Sequence, residues 1–142
     1  MKMSLNRYQE HVVIMTVIYN ELTDYLYGDR INVRDAEELI KGTALSLYDE
    51  EVATDYMKNT VFCSLSKYGE IVRVFTPHLK SWRWERIPAL SRAIIIMTYS
   101  HYYYVEKVNR NIVIDVAVNL TKTYVDEKQA GFVNALLDEV IK

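Results

Sequence analysis

The sequence predicts an all-α protein, a compact bundle of six or seven helices in one domain that covers residues 1–142. Apolar residues recur at spacings of three and four along nearly the whole chain, which is the pattern of helix faces. Only 4 Gly and 2 Pro interrupt the chain, whereas an all-β sandwich or barrel needs a turn signal about every 8–12 residues. Half of the residues are hydrophobic, and a chain of this length can bury a core without disulfides or metals.

The first two helices are predicted from apolar stripes and from the residues that flank them. The first stripe runs from Leu5 to Leu26, and Gly28 with Asp29 is predicted to end that helix. Glycine suits a helix end because it adopts the left-handed conformation at low cost. Asn32 is the predicted N-cap of the second helix, since its side chain can accept a hydrogen bond from the first turn.

The third helix is predicted to begin in the acidic run 49–51, because carboxylates are favourable at the positive end of the helix dipole. A fourth, short helix is predicted to cover residues 68–75 and to stop before Pro77, since the residue before a proline avoids helical backbone angles. In the connection that follows, Ser81 is a candidate helix cap.

The fifth helix is predicted over residues 89–104, with Pro88 in its first turn. It is apolar on almost all sides, which is typical of a helix at the centre of a bundle, so we expect it to be the most buried one. Asn111 is the predicted cap of the sixth helix. Asp126 and Gln129 have the spacing of a capping box and are predicted to start the last helix.

The residue pattern does not indicate an enzyme. The 4 glycines are too scattered to form a phosphate-binding loop. None of His11, His78 and His101 is followed at i+3 or i+4 by a carboxylate or a second histidine, so no metal-ligand spacing is present. Cys63 lies in an apolar stretch and is predicted to be an inert core residue. The sequence therefore predicts no catalytic residue, no metal site and no cofactor.

The chain also shows no signal for export or membrane insertion. The longest uncharged apolar run, residues 93–105, is too short to cross a bilayer, and residues 1–6 lack the apolar segment of a signal peptide. A single cysteine excludes a disulfide framework and favours a reducing compartment. We therefore expect a cytoplasmic protein that does not bind membranes.

Positive charge is concentrated in the middle of the chain. The formal net charge is −2, so an RNA would have to use a local basic patch. Residues 73–92 contain five basic residues and one acid, with Trp82 and Trp84 between them. This mixture is typical of a surface that contacts RNA or docks a partner. The alternative is a solvated connection whose tryptophans pack inward.

The 12 tyrosines are unusual for a chain of this size, and three of them are consecutive, at 102–104. Exposed aromatic side chains anchor protein partners or stack on unpaired bases. The alternative is that they fill a helical core and keep their hydroxyl groups at its rim. On these grounds the candidate partner-docking residues are Arg83, Arg86 and Tyr102.

Two segments carry a family resemblance. Residues 81–96 read SWRWERIPALSRAIII, and residues 112–142 read IVIDVAVNLTKTYVDEKQAGFVNALLDEVIK, in which the FVN that begins at Phe132 and the following LD are the most specific part. In this order the segments resemble the NusB family of bacterial transcription antitermination factors, over about residues 75–142. Before them only Tyr19, in the first helix, fits the family.

The resemblance implies an all-helical fold of two small bundles packed together. It also implies binding of single-stranded boxA-type RNA together with NusE, a ribosomal protein, and action of that complex on RNA polymerase against termination. The family's first helix contacts RNA phosphates with a cluster of arginines, of which only Arg7 is present here. We therefore expect RNA binding that is weaker and depends less on salt, because fewer phosphate contacts release fewer counterions.

By the same resemblance, RNA contacts are expected at the start of the first helix and around the turn before the last helix. Cations suit backbone phosphates, and an aromatic face suits an unpaired base. The predicted RNA-binding residues are Arg7, His11, Lys122, Lys128 and Phe132, with Lys2 as an additional positive charge. For Phe132 a position in the core is the alternative. The resemblance also implies a partner-docking position at His101, where the family has the second residue of a Tyr-Glu pair.

Three functions are compatible with these residues. The leading hypothesis is an RNA-binding antitermination factor that acts with NusE. The second is a NusB-like scaffold for protein interaction or homodimer formation that has lost most RNA binding, and the depleted arginine cluster favours it. The third is the RNA-binding half of an RNA methyltransferase. Because the chain ends at Lys142 without a catalytic domain, this third hypothesis requires a separate protein that carries the catalytic domain.

Overall fold

Seven α-helices and no strand make up the parts of the chain that the computed structural model describes, residues 4–25 and 33–142. The helices are α1 (Arg7–Tyr25), α2 (Val33–Tyr48), α3 (Asp55–Ser66), α4 (Tyr68–Phe75), α5 (Ala89–Ser100), α6 (Arg110–Tyr124) and α7 (Glu127–Val140). The all-α prediction is therefore confirmed. Four residues that the sequence predicts at the boundary between α1 and α2 lie outside the described residues: Leu26, Gly28, Asp29 and Asn32. Lys2 also lies outside them.

Helix α5 lies at the centre of the fold. Eight of its twelve residues are buried, among them the three consecutive isoleucines 94–96. They are buried because α1, α3 and α6 all pack against this helix. Helices α1, α2 and α3 also pack on one another, α6 packs along α7, and one continuous cluster of buried side chains joins the two groups. The predicted central position of this helix is confirmed.

The predicted start of α3 in the run 49–51 is wrong. Asp49 has a backbone φ of 57°, and it ends α2 in the left-handed region, which aspartate tolerates better than most residues. Helix α3 begins at Asp55, after Thr54, whose side chain accepts a hydrogen bond from the backbone N–H of Met57 at 3.3 Å. The acidic run therefore lies in the connection between the two helices.

Helix α4 has the predicted bounds, but Pro77 does not act as predicted. Thr76, the residue before the proline, has helical backbone angles (φ −51°, ψ −44°), and the chain passes directly into a short 3₁₀ turn. The proline fits there because the first turn of a helix leaves its N–H groups without an internal acceptor. Ser81 is not a helix cap, since the next helical segment begins only at Trp84.

Helix α5 begins at Ala89 as predicted, with Pro88 one position earlier as its N-cap. Its α-helical part ends at Ser100, and the chain continues as a π-helical turn, His101–Val105, instead of as α-helix to residue 104. The backbone N–H of Glu106 donates to the carbonyl of His101 at 3.2 Å and closes this wider turn. The side chains on this turn form part of the candidate site.

One of the two predicted caps near the end of the chain is correct. Helix α6 is capped by Asn109, whose side chain accepts from the N–H of Asn111 at 2.8 Å, and the predicted cap at Asn111 is wrong. The predicted cap of α7 is confirmed, because Asp126 accepts from the N–H of Gln129 at 2.7 Å. The side chain of Gln129 accepts from the hydroxyl of Ser91 at 2.9 Å and so links α7 to α5.

Candidate functional site

A reciprocal pair of hydrogen bonds fixes the start of α1. The side chain of Asn6 accepts from the backbone N–H of Gln9 at 2.8 Å, and the backbone N–H of Asn6 donates to the side chain of Gln9 at 3.0 Å. This arrangement is a capping box, which satisfies N–H groups that the helix leaves free. Arg7 is consequently the first residue of a well-defined helix.

The guanidinium group of Arg7 has three partners. Its Nη1 donates to Glu106 Oε1 at 2.9 Å, and its Nε lies 3.2 Å from Glu10 Oε1. Its central carbon lies 3.7 Å from the centre of the Tyr56 ring, which is a cation–π contact. Three segments of the chain therefore meet around one cation: the first turn of α1, α3 and the residue that follows the π-helical turn.

A chain of hydrogen bonds leads from the interior of α1 to Glu106. The hydroxyl of Tyr56 lies 3.0 Å from His11 Nε2 and 3.1 Å from His101 Nδ1, and His101 Nε2 lies 2.9 Å from Glu106 Oε1. A carboxylate only accepts, so Nε2–H of His101 donates to it. Nδ1 of the neutral ring then accepts from Tyr56, whose oxygen accepts from His11. Glu106 thereby sets the direction of every bond in the chain.

Both imidazoles are held in the neutral form. Burial lowers the pKa of His11 to about 4, and the proximity of His101 and of the positively charged Arg7 acts in the same direction. Burial also lowers the pKa of His101, although its hydrogen bond to Glu106 opposes the shift. Burial alone would raise the pKa of Glu106, but hydrogen bonds from His101 and Arg7 outweigh it and the pKa is lowered. The carboxylate is therefore ionised at neutral pH.

The structure brings together two predicted RNA-binding residues, Arg7 and His11, with one predicted docking residue, His101. The side chain of Arg7 is 50% exposed, so its outer edge is available to a ligand. His11 is only 5% exposed and its Nε2 is bonded to Tyr56. It offers no surface to a phosphate, and in this arrangement it supports the ring on which Arg7 lies.

Sequence reasoning missed Glu10, Tyr56 and Glu106. Arg7 and Glu10 have the i,i+3 spacing of a helical ion pair, and that signal is readable in the sequence. Tyr56 and Glu106 come from distant segments. Glu106 lies beside His101, five residues earlier, only because the chain forms a π-helical turn there. The spacing rule for an α-helix cannot reveal that contact.

The start of α1 also meets the end of α6. The hydroxyl groups of Tyr8 and Tyr124 lie 3.3 Å apart, and this hydrogen bond raises the pKa of Tyr124 to about 12. Lys122 is exposed in the last turn of α6. The structure thus places the first turn of α1 beside the helix end that carries Lys122.

Lys128 and Phe132 lie one turn apart on α7, and both line a cavity of about 230 Å³. The other lining residues are Trp82, Ile87 and Gln129. The ring centroids of Trp82 and Phe132 are 6.1 Å apart, and Trp82 is 49% exposed. Phe132 is half-buried at the edge of the core, so its ring contacts the core and also borders the cavity.

The four predicted docking residues lie in different local environments. Arg83 and Arg86 are exposed on the segment between α4 and α5. Tyr102 donates its hydroxyl to the backbone carbonyl of Lys142 at 3.0 Å and so holds the end of the chain. His101 belongs to the cluster around Arg7.

The two tryptophans of the basic segment behave differently. Trp84 is buried, and its Nε1–H donates to the hydroxyl of Tyr68 at 2.7 Å. The inward-packing alternative is therefore correct for Trp84. Trp82 is half-exposed beside Phe132, where its ring is available to a ligand.

Within the described ranges, no group of three or more His, Cys, Asp or Glu residues is arranged to hold a metal ion. Over the same residues, no helix has the length and apolar character needed to span a bilayer. Cys63 is half-buried, and burial raises the pKa of its thiol. The thiol is therefore protonated at neutral pH and is a poor nucleophile.

Similarity to known proteins decides the family. The model of the NusB family matches residues 23–142 of this chain. The chain belongs to the NusB family. The transcription antitermination protein NusB of Macrococcus caseolyticus is 30% identical over 141 residues, which are 99% of this chain and 98% of that protein. The protein of the same name from Clostridium botulinum is 25% identical over 122 residues, or 84% of this chain and 91% of its own length.

The match to the NusB family covers helices α2 to α7 and begins inside α1. The Macrococcus relative spans 99% of the chain, so the similarity extends over the start of α1 as well. The resemblance that the sequence shows over about residues 75–142 is therefore confirmed and extended through the first half. The predicted positions in that half, Arg7 and His11, lie within the part of the chain that is similar to the Macrococcus relative.

Proposed function

We propose that this chain is an RNA-binding transcription antitermination factor that acts with NusE on boxA-type RNA in the elongation complex. The observation that carries the proposal is membership of the NusB family, together with relatives named transcription antitermination proteins along almost the entire chain. The family consists of RNA-binding regulatory factors, which agrees with the prediction that this chain is not an enzyme. A factor that acts with RNA polymerase works in the cytoplasm.

The proposed RNA surface combines three cations with an aromatic cavity. Arg7, Lys122 and Lys128 are exposed at the start of α1, the end of α6 and the start of α7. Exposed cations at helix ends suit the phosphates of a single strand. Phe132 and Trp82 border a cavity in which an unpaired base can stack. His11 contributes as a positioning residue, because it bonds to the tyrosine beneath Arg7.

Weak RNA binding by the isolated protein is part of the proposal. The charge of Arg7 is already opposed by two carboxylates, those of Glu10 and Glu106. A phosphate gains less from a guanidinium group that is internally paired, and fewer counterions are released when it binds. NusE is expected to raise the affinity by adding RNA contacts of its own.

The pairing of Arg7 with two carboxylates also favours a second candidate function, a NusB-like scaffold or homodimer that binds RNA poorly. In both candidates a protein partner needs an exposed docking surface. Arg83 and Arg86 are our candidates for direct contact, because they are exposed next to the half-exposed Trp82. Tyr102 would act by holding the C-terminal residue, and His101 by holding Glu106.

One titration distinguishes the two candidates. Fluorescently labelled boxA-like RNA is titrated with the protein, with and without NusE, and a scrambled RNA of the same length serves as the control. We expect weak binding by the protein alone and tighter, sequence-dependent binding once NusE is present. If NusE leaves the RNA affinity unchanged, the antitermination proposal is wrong. Sedimentation of the protein alone then tests the homodimer.

A further inference from the structure

We infer that Arg7 and His101 form a phosphate site in which the carboxylate of Glu106 is a built-in competitor. A phosphate group binds there by displacing Glu106 and takes its hydrogen bonds from the guanidinium group and from Nε2–H of the imidazole. The identification of RNA as the source of that phosphate rests on the proposed function. The site itself follows from the geometry of the side chains.

The carboxylate of Glu106 occupies the position that a phosphate oxygen would take. Its Oε1 lies 2.9 Å from Arg7 Nη1 and also 2.9 Å from His101 Nε2. Two donors from different parts of the chain thus converge on one anionic oxygen. Distances of this length are usual for charge-assisted hydrogen bonds to carboxylates and to phosphates.

The guanidinium group is held in place without Glu106. Arg7 Nε is paired with Glu10 Oε1 at 3.2 Å, and the central carbon of its guanidinium group lies 3.7 Å from the centre of the Tyr56 ring. Glu10 is buried, and its other carboxylate oxygen accepts from the hydroxyl of Thr54 at 2.8 Å. These contacts remain when Glu106 moves away. Arg7 then keeps its position with one donor unoccupied.

The imidazole is held independently as well. Nδ1 of His101 accepts from the hydroxyl of Tyr56, and that hydroxyl accepts from the buried His11. A phosphate oxygen, like the carboxylate of Glu106, accepts a hydrogen bond and therefore keeps the hydrogen of His101 on Nε2. The donor therefore remains available to another anion at neutral pH.

Glu106 is free to leave by rotation of its side chain alone. The residue has extended backbone angles (φ −151°, ψ 150°) just after the π-helical turn, and its backbone N–H is bonded to the carbonyl of His101 at 3.2 Å. Its side chain is 44% exposed. Because exposed ion pairs add little net stability, a phosphate group can replace this carboxylate. Glu106 therefore weakens anion binding at Arg7.

The test uses two variants of the competitor and one matched control. Glu106→Gln removes the charge and keeps the shape, and Glu106→Ala removes the side chain beyond Cβ. The control is Glu37→Gln, which removes one charge from a glutamate of similar exposure, 39%, that lies near Lys41 and Lys58. Circular dichroism and thermal melting establish that each variant is folded. If Glu106→Ala has a lower melting temperature than the parent, the test uses Glu106→Gln alone.

The first measurement uses inorganic phosphate and needs no RNA. Each protein is titrated with phosphate against chloride at constant ionic strength, and the imidazole signals of His101 are followed by NMR. We expect the Glu106 variants to bind phosphate at least several-fold more tightly than the parent, with shifts at His101. Glu37→Gln should behave as the parent does. Equal phosphate binding by parent and Glu106 variants, or no shift at His101, would overturn the inference.

The second measurement uses boxA-like RNA at several salt concentrations. We expect Glu106→Ala to raise the RNA affinity and to steepen the plot of log affinity against log salt by about 0.7, the value for one phosphate contact on a single strand. Both changes should vanish in the double variant with Arg7→Gln. If phosphate binds as expected and no variant binds RNA, the proposed function is wrong and the site remains. If RNA binds equally to the parent and to the Glu106 variants, Glu106 does not compete with RNA. The proposed RNA-binding function then still stands.

Discussion

At the scale of single residues, the neighbours of a histidine decide what it can do. His11 follows Arg7 by one helical turn, a position from which an exposed imidazole could help to bind a phosphate. In the structure it is buried, its pKa is lowered to about 4, and its ring nitrogen is bonded to Tyr56. It therefore contributes to stability, and that contribution depends on pH.

The first prediction concerns this pH dependence. The pKa of His11 is 6.5 in the unfolded chain and about 4 in the fold, so between these values the unfolded state binds more protons. The stabilisation is complete above pH 6.5 and is lost as the pH falls towards 4. A shift of this size corresponds to about 3 kcal/mol of unfolding free energy. Urea unfolding at a series of pH values measures it.

The variant His11→Phe should lose most of this pH dependence, because no proton can bind at that position. His78→Gln is the matched control, since His78 is more exposed and bonded to Glu139 at the surface. If the parent protein is equally stable at all pH values between 4 and 6.5, the low pKa of His11 is contradicted.

The second residue-scale prediction concerns the proposed RNA contacts. Lys122→Glu and Lys128→Glu should each weaken RNA binding for all sequences alike and reduce its salt dependence by about one phosphate equivalent. For Arg7 the change of choice is Arg7→Gln, because Arg7→Glu would place a third carboxylate beside Glu10 and Glu106. Salt-dependent RNA titrations provide the measurement. If these variants bind as the parent does while reversals at Arg83 and Arg86 abolish binding, the RNA surface lies on the basic central segment.

At the scale of elements, helix ends position most of the candidate site. A capping box at Asn6 and Gln9 fixes Arg7 in the first turn of α1. The cap of α7 at Asp126 fixes the turn that carries Lys128, and the side chain of Gln129 then bonds across to Ser91 on α5. The site therefore depends on local hydrogen bonds as much as on the core.

The third prediction tests the cap of α7. Asp126→Ala leaves the N–H of Gln129 without its side-chain acceptor, and loss of an N-cap costs about 1 kcal/mol of unfolding free energy. Asp115→Ala, an exposed position in the middle of α6, is the control and should change stability by less than about 0.5 kcal/mol. Denaturant unfolding compares the two variants, and equal effects would argue against the cap.

At the scale of the whole molecule, one core joins the two groups of helices. Ile95 has 0% exposure in the centre of α5, which packs against α1 and α3 and also against α6. Loss of packing at this position should therefore destabilise both groups of helices. We expect the protein to unfold as one cooperative unit, as single domains of this size usually do.

The fourth prediction follows from that shared core. Ile95→Ala should lower the unfolding free energy by roughly 2–5 kcal/mol, the range for removing a fully buried aliphatic side chain. Ile112→Ala, at a residue that is 55% exposed, should have a small effect. Amide hydrogen exchange should show that Ile95→Ala lowers the unfolding free energy by the same amount in α1 and in α7. A loss confined to one of the two helices would show that they unfold separately.

The sequence by itself determined the class of fold and the family. The spacing of apolar residues specified helices, and the bounds of α4, the first residue of α5 and the cap of α7 were readable because each depends on neighbours a few residues away. The segments 81–96 and 112–142 were sufficient to indicate the NusB family. Local patterns are legible in a sequence because their partners lie close along the chain.

Only the tertiary structure decided what surrounds Arg7. Tyr56 and Glu106 reach it from positions far along the chain, and the pairing of Glu106 with His101 requires a π-helical turn that α-helical periodicity does not encode. Burial of His11 likewise depends on how α1 packs against α3 and α5. Long-range contacts, burial and the resulting pKa shifts arise from the packing of distant segments, and spacing within one segment does not specify them.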